Sequence, residues 1–346
     1  MSPTRRPLVV VAVAWAACPL GLAQVPATTI LQIDAVNKTS YVFDPCFDAT
    51  ACPGVSDHTK WGTDPNKTTG VRHHVFGQYV DVADIVAVNG KPAKGVWVAY
   101  GSPVLKLDVS PAVGNGAIAD AVRFAMVEQY LEILRVDGTP IGTIMGHGFN
   151  SGDPPPGAPA GITRDNVTIT GGTGAFLGAR GQGGNSNSVL RTTSVTEDPG
   201  YRRINGDGAP SRFIVHLIPM SRPEIVSAAP GTAAVVHSSD FTLISGTRPA
   251  RAGEILTLFA SGLGPTHPGV GAGQPFTANP LQTVNSPVEI LVGGSPTDVL
   301  YAGGYPGVVD GYQVNFRVPD RLAPGLTTLQ LTAAWIAGPE VKIVTQ

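Results

Sequence analysis

The sequence predicts an all-β protein in two parts, an antiparallel barrel or sandwich followed by a small immunoglobulin-like β-sandwich. Three observations carry this. Apolar and polar residues alternate in short runs, the mark of strands with one buried face. Turn dipeptides such as Asn89-Gly90 and Asp137-Gly138 break those runs at short intervals, as antiparallel neighbours require. Gly 43 and Pro 31 together make about a fifth of the 346 residues, a high share for a helical protein.

In chain order, the first segment is a targeting signal. Arg5 and Arg6 precede an apolar run from Leu8 to Leu22, and Gly21 and Ala23 stand at -3 and -1 of a cut before Gln24. Residues 1–23 therefore read as a cleaved secretory signal peptide, with an apolar run too short to span a bilayer and no second one after it. This places the mature protein outside the cytoplasm, secreted or periplasmic. Cys18 as a lipidated cysteine is disfavoured, because Trp15 stands where such sites prefer a small aliphatic residue.

Residues 28–219 form the first domain. "TTILQIDAVNKTSYVF" alternates as one strand, or as two with a turn near Asn37. A punctuated loop over 44–69 follows, then "HHVFGQYVDVADIVAV", "KGVWVAYGSPVLKLDV", "DAVRFAMVEQYLEILRV", "IGTIMGHGF" and, after a proline-rich loop, "VTITGGTGAFLGARGQ" and "SRFIVHLIPM". Helix propensity competes in "VRFAMVEQYLEILRV", but the turns on either side favour strand. Residues 220–230, with two prolines among short apolar groups, read as a linker. From 231 to 346, six short strands with Pro/Gly punctuation give the sandwich.

The totals exclude some partners. Charged residues are 14% of the chain and the formal net charge is -2. With no Lys/Arg cluster to neutralise phosphates, nucleic acid is not expected as a partner. After signal cleavage two cysteines are left, Cys46 and Cys52, with five residues between them. In an oxidising compartment a local disulfide is expected, two free thiols being the alternative.

"VTITGGTGAFLGARGQ" invites a nucleotide-binding reading. A dinucleotide fingerprint needs a third glycine where Leu177 stands, and Gly178 arrives one residue late. The glycines that follow oppose the helix whose N-terminus would hold a phosphate. A strand–turn–strand built on Gly171, Gly172, Gly174 and Gly178 is the better reading. Preceded by "EQYLEILRVDGTPIGTIMGHGF" and followed by "FIVHLIP", this stretch resembles the late barrel strands of the allene oxide cyclase and dirigent proteins. The resemblance implies an eight-stranded antiparallel barrel with an apolar central cavity, and assembly as a homo-oligomer, a trimer. A second resemblance lies in "RAGEILTLFASGLGPT" and "VLYAGGYPGVVDGYQVNFRVPDRLAPG". These are similar to an uncharacterised IPT/TIG-like C-terminal domain found across secreted acidobacterial proteins.

The same resemblance points to an early barrel strand for chemistry. In "LQIDAVN" it offers Asp34 as a cavity carboxylate able to donate a proton, with Gln32 on the same strand face. Glu128, Tyr130 and Glu132 share one face of their strand, where they line either a polar cavity wall or a solvated exterior. His147 sits near the presumed rim. His73 and His74 are adjacent and point to opposite faces, and no HxH or HxxxH spacing occurs, so neither a metal nor a cofactor is expected. No G-x-S-x-G elbow is present. Two functions are compatible with these residues: a barrel that binds a small hydrophobic ligand or serves as a structural extracellular module, and a cofactor-free cyclase or stereo-directing enzyme.

Overall fold

In a computed structural model, the structure describes residues 28–43, 73–74, 78–103, 106–107, 125–150, 164–186, 191–194, 196–204, 210–229 and 232–346. The signal segment and both Cys46 and Cys52 lie outside the described residues. The first part is a closed antiparallel barrel of eight strands: β1 (Thr29–Phe43), β2 (Gln78–Val88), β3 (Lys91–Pro103), β4 (Ala125–Leu134), β5 (Pro140–Asn150), β6 (Arg164–Gly174), β7 (Arg180–Asn185) and β8 (Ser211–Ile218). Strands β2 to β7 pair in sequence, β8 pairs with β7, and β1 closes the ring between β8 and β2. Closure gives each of the eight strands a neighbour on both sides. A short strand, Arg191–Ser194, pairs in parallel with Thr39–Val42 of β1, along the edge that β8 pairs with over Thr29–Ala35.

The turns form where the residues permit them. Asn89 and Gly90 both adopt positive φ, 49° and 74°, as a two-residue hairpin requires. Asp137 Oδ1 accepts from the Thr139 amide at 2.9 Å to shape the β4–β5 turn. The glycine-rich motif is the β6–β7 hairpin, its strands antiparallel. Gly174 and Gly178 take φ of 60° and 71° there. The ambiguous segment at 125–134 is a strand, since Val127, Leu131 and Ile133 are buried in alternation.

The second part is a two-sheet sandwich. One sheet contains β9 (Ile255–Ser261), β11 (Val299–Gly304) and β12 (Tyr312–Arg317); the other contains β10 (Val288–Val292), β13 (Gly325–Ala333) and β14 (Val341–Thr345). Leu256, Leu258, Val314 and Phe316 from one sheet share a buried cluster with Ile290, Val292, Leu329 and Leu331 from the other. The segment read as a linker is built into this unit. Glu224-Ile225 pairs with Ser261 and Ala260, and Ile225 is buried in the sandwich core. The prolines that suggested a spacer flank a strand instead.

The two ends of the barrel differ. At one end lie the tight turns at 89–90, 135–139 and 175–179, and against this end sits the sandwich. At the opposite end β1, β3 and β5 finish and β2, β4 and β6 begin. Inside, near the sandwich, Leu31, Ile33, Ile85, Leu131, Ile133, Ile141 and Leu217 form a fully buried apolar core.

Glycines along the motif distinguish crowding from freedom. A Cβ on Gly172 would fall 2.3 Å from the Phe176 carbonyl and 2.8 Å from that of Thr143, whereas one on Gly90 meets nothing within 4 Å. Gly172→Ala is expected to destabilise the barrel by about 1–3 kcal/mol in urea unfolding, and Gly90→Asn, strained only by its φ of 74°, to cost less. Equal effects of the two would contradict this packing.

Candidate functional site

The barrel interior changes character along its length because of one irregularity in β1. From Leu31 through Ile33 to Ala35, odd-numbered residues face inward. Strict alternation would continue with Asn37, Thr39 and Tyr41. Instead Val36 pairs with Asp84 and Thr39 with Val82, so β1 carries one extra residue there. This is a bulge, with Asn37 at φ 57°, a conformation asparagine tolerates better than most residues. Beyond it the phase is reversed, and Ser40 pairs with Asp81, on the same strand face as the core residues Ala83 and Ile85. Lys38 and Ser40 thereby point into the barrel.

The bulge is held from outside. The Asp84 carboxylate accepts from Asn37 Nδ2 at 3.0 Å, from Arg202 Nη2 at 2.6 Å, and from Arg203 Nε and Nη2 at 3.0 and 2.8 Å. Both arginines come from a single helical turn, Tyr201–Ile204. The segment before it is tied down by the Arg191–Glu197 fork, at 2.6 and 2.7 Å, and by Tyr41 Oη donating to the Pro199 carbonyl at 3.3 Å. Burial works to raise the Asp84 pKa, but the hydrogen bonds from Arg203, Asn37 and Arg202 outweigh it and hold the carboxyl at about 2.

Inside, the reversed phase adds Lys38 and Ser40 to a polar set at the end away from the sandwich. Lys38, Ser40, Asp81, Gln129, Asn185 and Ser211 are all buried. Register places Asp81, Ala99 and Gln129 in one row across β2, β3 and β4. Trp97 Nε1 donates to Gln129 Oε1 at 2.9 Å, and the Lys38 ammonium lies 4.8 Å from the centre of the Trp97 ring. The indole thus joins the two halves, packing on Phe213 with centroids 4.8 Å apart and supplying a face to the cation. Across from Gln129 the inward positions on β5 are small, Gly146 and Gly148.

This set can hold a ligand's polar group. It brings one cation, one carboxylate and two amides together against apolar neighbours, where such groups act more strongly than in water.

The residues singled out from the sequence lie elsewhere. Asp34 is on the outer face of β1, half-buried, accepting from Arg212 Nε at 2.7 Å; Gln32 shares that face. The cavity position expected for them belongs to Leu31, Ile33 and Ala35. Glu128, Tyr130 and Glu132 are exposed on the outside of β4, the second of the two placements open to them. His147 is exposed beside Glu128 in the β4–β5 register. His73 and His74 form a two-residue ladder with Lys106 and Leu107. Among the described residues, no group of three or more His, Cys, Asp or Glu is placed to hold a metal ion, and no helix is long and apolar enough to cross a membrane.

Of the interior set, Gln129 was accessible to sequence reasoning. It is the polar member of the apolar phase Val127, Leu131, Ile133. Asp81 was not, because "YVDVADIV" carries one aspartate in each phase. Lys38 depends on the bulge. Comparison with protein-family models, with curated proteins and with solved structures found no match to the chain.

The Asp84 clamp gives a pH dependence with a definite sign. Its folded pKa of about 2 lies below the ordinary 3.8. The clamp therefore contributes about 2 kcal/mol that is fully present above pH 4 and is lost as pH falls through 2. Urea midpoints measured between pH 5 and pH 2 should fall in the wild type. The fall should be smaller in Asp84→Asn, which is already destabilised at pH 5; parallel curves would contradict the clamp.

Proposed function

We propose that the protein is a small-molecule-binding β-barrel acting outside the cytoplasm. A small hydrophobic molecule with a polar head enters at the end away from the sandwich. It sets its head among Lys38, Asp81 and Gln129 and its apolar body against Trp97 and Phe213. The observation that carries this reading is the buried polar set gathered at one end of an otherwise apolar barrel. Export rests on the Arg5-Arg6 and Leu8–Leu22 signal pattern. Assembly into a homo-oligomer is supported by the exposed apolar side chains Tyr100, Met126 and Tyr130 on the outer face of β3 and β4.

A second reading, a cofactor-free cyclase or stereo-directing enzyme of the kind the sequence resembles, is favoured by one observation. An ammonium and a carboxylate lie inside the same barrel, where they could give and take a proton around a confined intermediate. The two readings differ in whether the bound molecule leaves unchanged.

Native mass spectrometry of the secreted protein tests the first reading and reports the assembly mass together. A co-purified small molecule is expected, retained in Asp34→Ala and lost in Lys38→Met and in Gln129→Leu. A bare protein in the wild type, or a ligand that survives both interior changes, would contradict it.

A further inference from the structure

The end of the barrel facing the sandwich is closed by residues that are not its own. β13 runs to Ala333 and returns at Ile336, the two residues paired across a two-residue turn of Ala334 and Trp335. Both turn residues adopt positive φ, 48° and 62°. Hairpin turns of this kind select Asn-Gly, because a residue with a Cβ is disfavoured in the left-handed region. Ala-Trp is a poor choice for the turn itself.

The packing explains the choice. Ala333 belongs to the buried core of the sandwich. Ala334, the next residue, and Ile336 belong to the buried core of the barrel, at 1% exposure each, and Trp335 packs on the same cluster. The boundary between the two hydrophobic cores therefore falls within the chain of one hairpin. Around the tip the joint is braced by Asn285 Nδ2 donating to the Pro140 carbonyl at 2.9 Å, by the Lys91–Glu289 ion pair, and by Gly264, where a Cβ would come within 3.1 Å of Ala175 Cα. The Trp335 Nε1 is buried and has no hydrogen-bond partner. The indole is thus placed for its shape.

We propose that this tip is a docking element, and that the C-terminal sandwich is the built-in stopper of the barrel, its indole plugging the end ringed by Ala93, Leu134 and Ile141. The stopper makes the two units fold as one and closes the barrel at this end whatever the far end binds. Beside the plug a cleft of about 470 Å³ remains, lined by Lys91, Ala93, Leu134, Ile141, Pro287 and Trp335. A seat shaped for an indole should accept free indole once the side chain is removed.

The double substitution Ala334→Asn/Trp335→Gly separates a stopper from a mere turn, because it improves the turn while removing the plug. In scanning calorimetry of the full chain, the wild type should unfold in one transition. The variant should show two, with the barrel lower by roughly 10 °C and the sandwich unchanged or higher, and millimolar indole should raise the barrel transition again. Trp335→Ala, which keeps the turn unimproved, is the milder form and should respond to indole in the same way. A double variant that unfolds in one transition at or above the wild-type temperature, or no indole response in either variant, would overturn the proposal.

Discussion

The contact on which the rest of the barrel interior depends is the hydrogen-bonded carboxylate of Asp84. It binds the bulged Asn37 of β1 and two arginines of one helical turn. A bulge is a local irregularity in backbone pairing, yet its consequence is global for the strand, because a one-residue change of register moves every later side chain to the other face. Before Asn37, β1 contributes Leu31, Ile33 and Ala35 to an apolar core. After it, β1 contributes Lys38 and Ser40 to a polar one. Thr39 and Tyr41, displaced to the outside, are still buried, and Tyr41 donates to the carbonyl of Pro199 in the segment that carries the two arginines.

The same strand shows how far the sequence could be read. Alternation with Asn-Gly and Asp-Gly turns was enough to identify an all-β chain, while the glycine-rich motif at 171–178 has Gly171, Gly172 and Gly174 at the end of β6 and Gly178 in the turn that follows. Asp34 was misplaced for a specific reason. Alternation states which residues share a face and leaves open which face is inside; Leu31 and Ile33 decide that only once their neighbours on β8 and β2 are known. Glu128, Tyr130 and Glu132 share a face as expected, and Val127, Leu131 and Ile133 take the interior. Lys38 was out of reach, since a bulge depends on pairing with Asp84, distant in the sequence. The linker expected at 220–230 failed through its prolines, which punctuate a strand as readily as a spacer.

Two cores meet at the Ala334-Trp335 turn, and this bears on the polar set as well. The sandwich end is occupied by Ala334, Ile336 and the indole of Trp335, and Lys38, Asp81 and Gln129 lie toward the opposite end. Trp97 touches both halves, packing its ring on Phe213 and donating its N–H to Gln129.

The most direct test of this account is the chemical reactivity of Lys38. Brief reductive methylation of the folded protein, mapped by peptide mass spectrometry, reports which amines face solvent. Lys91 and Lys94, exposed on the barrel surface, should be modified quickly. Lys38 should be protected until the protein is unfolded. Modification of Lys38 at the rate of Lys94 in the native state would place it outside the barrel and contradict the phase reversal on which the interior site rests.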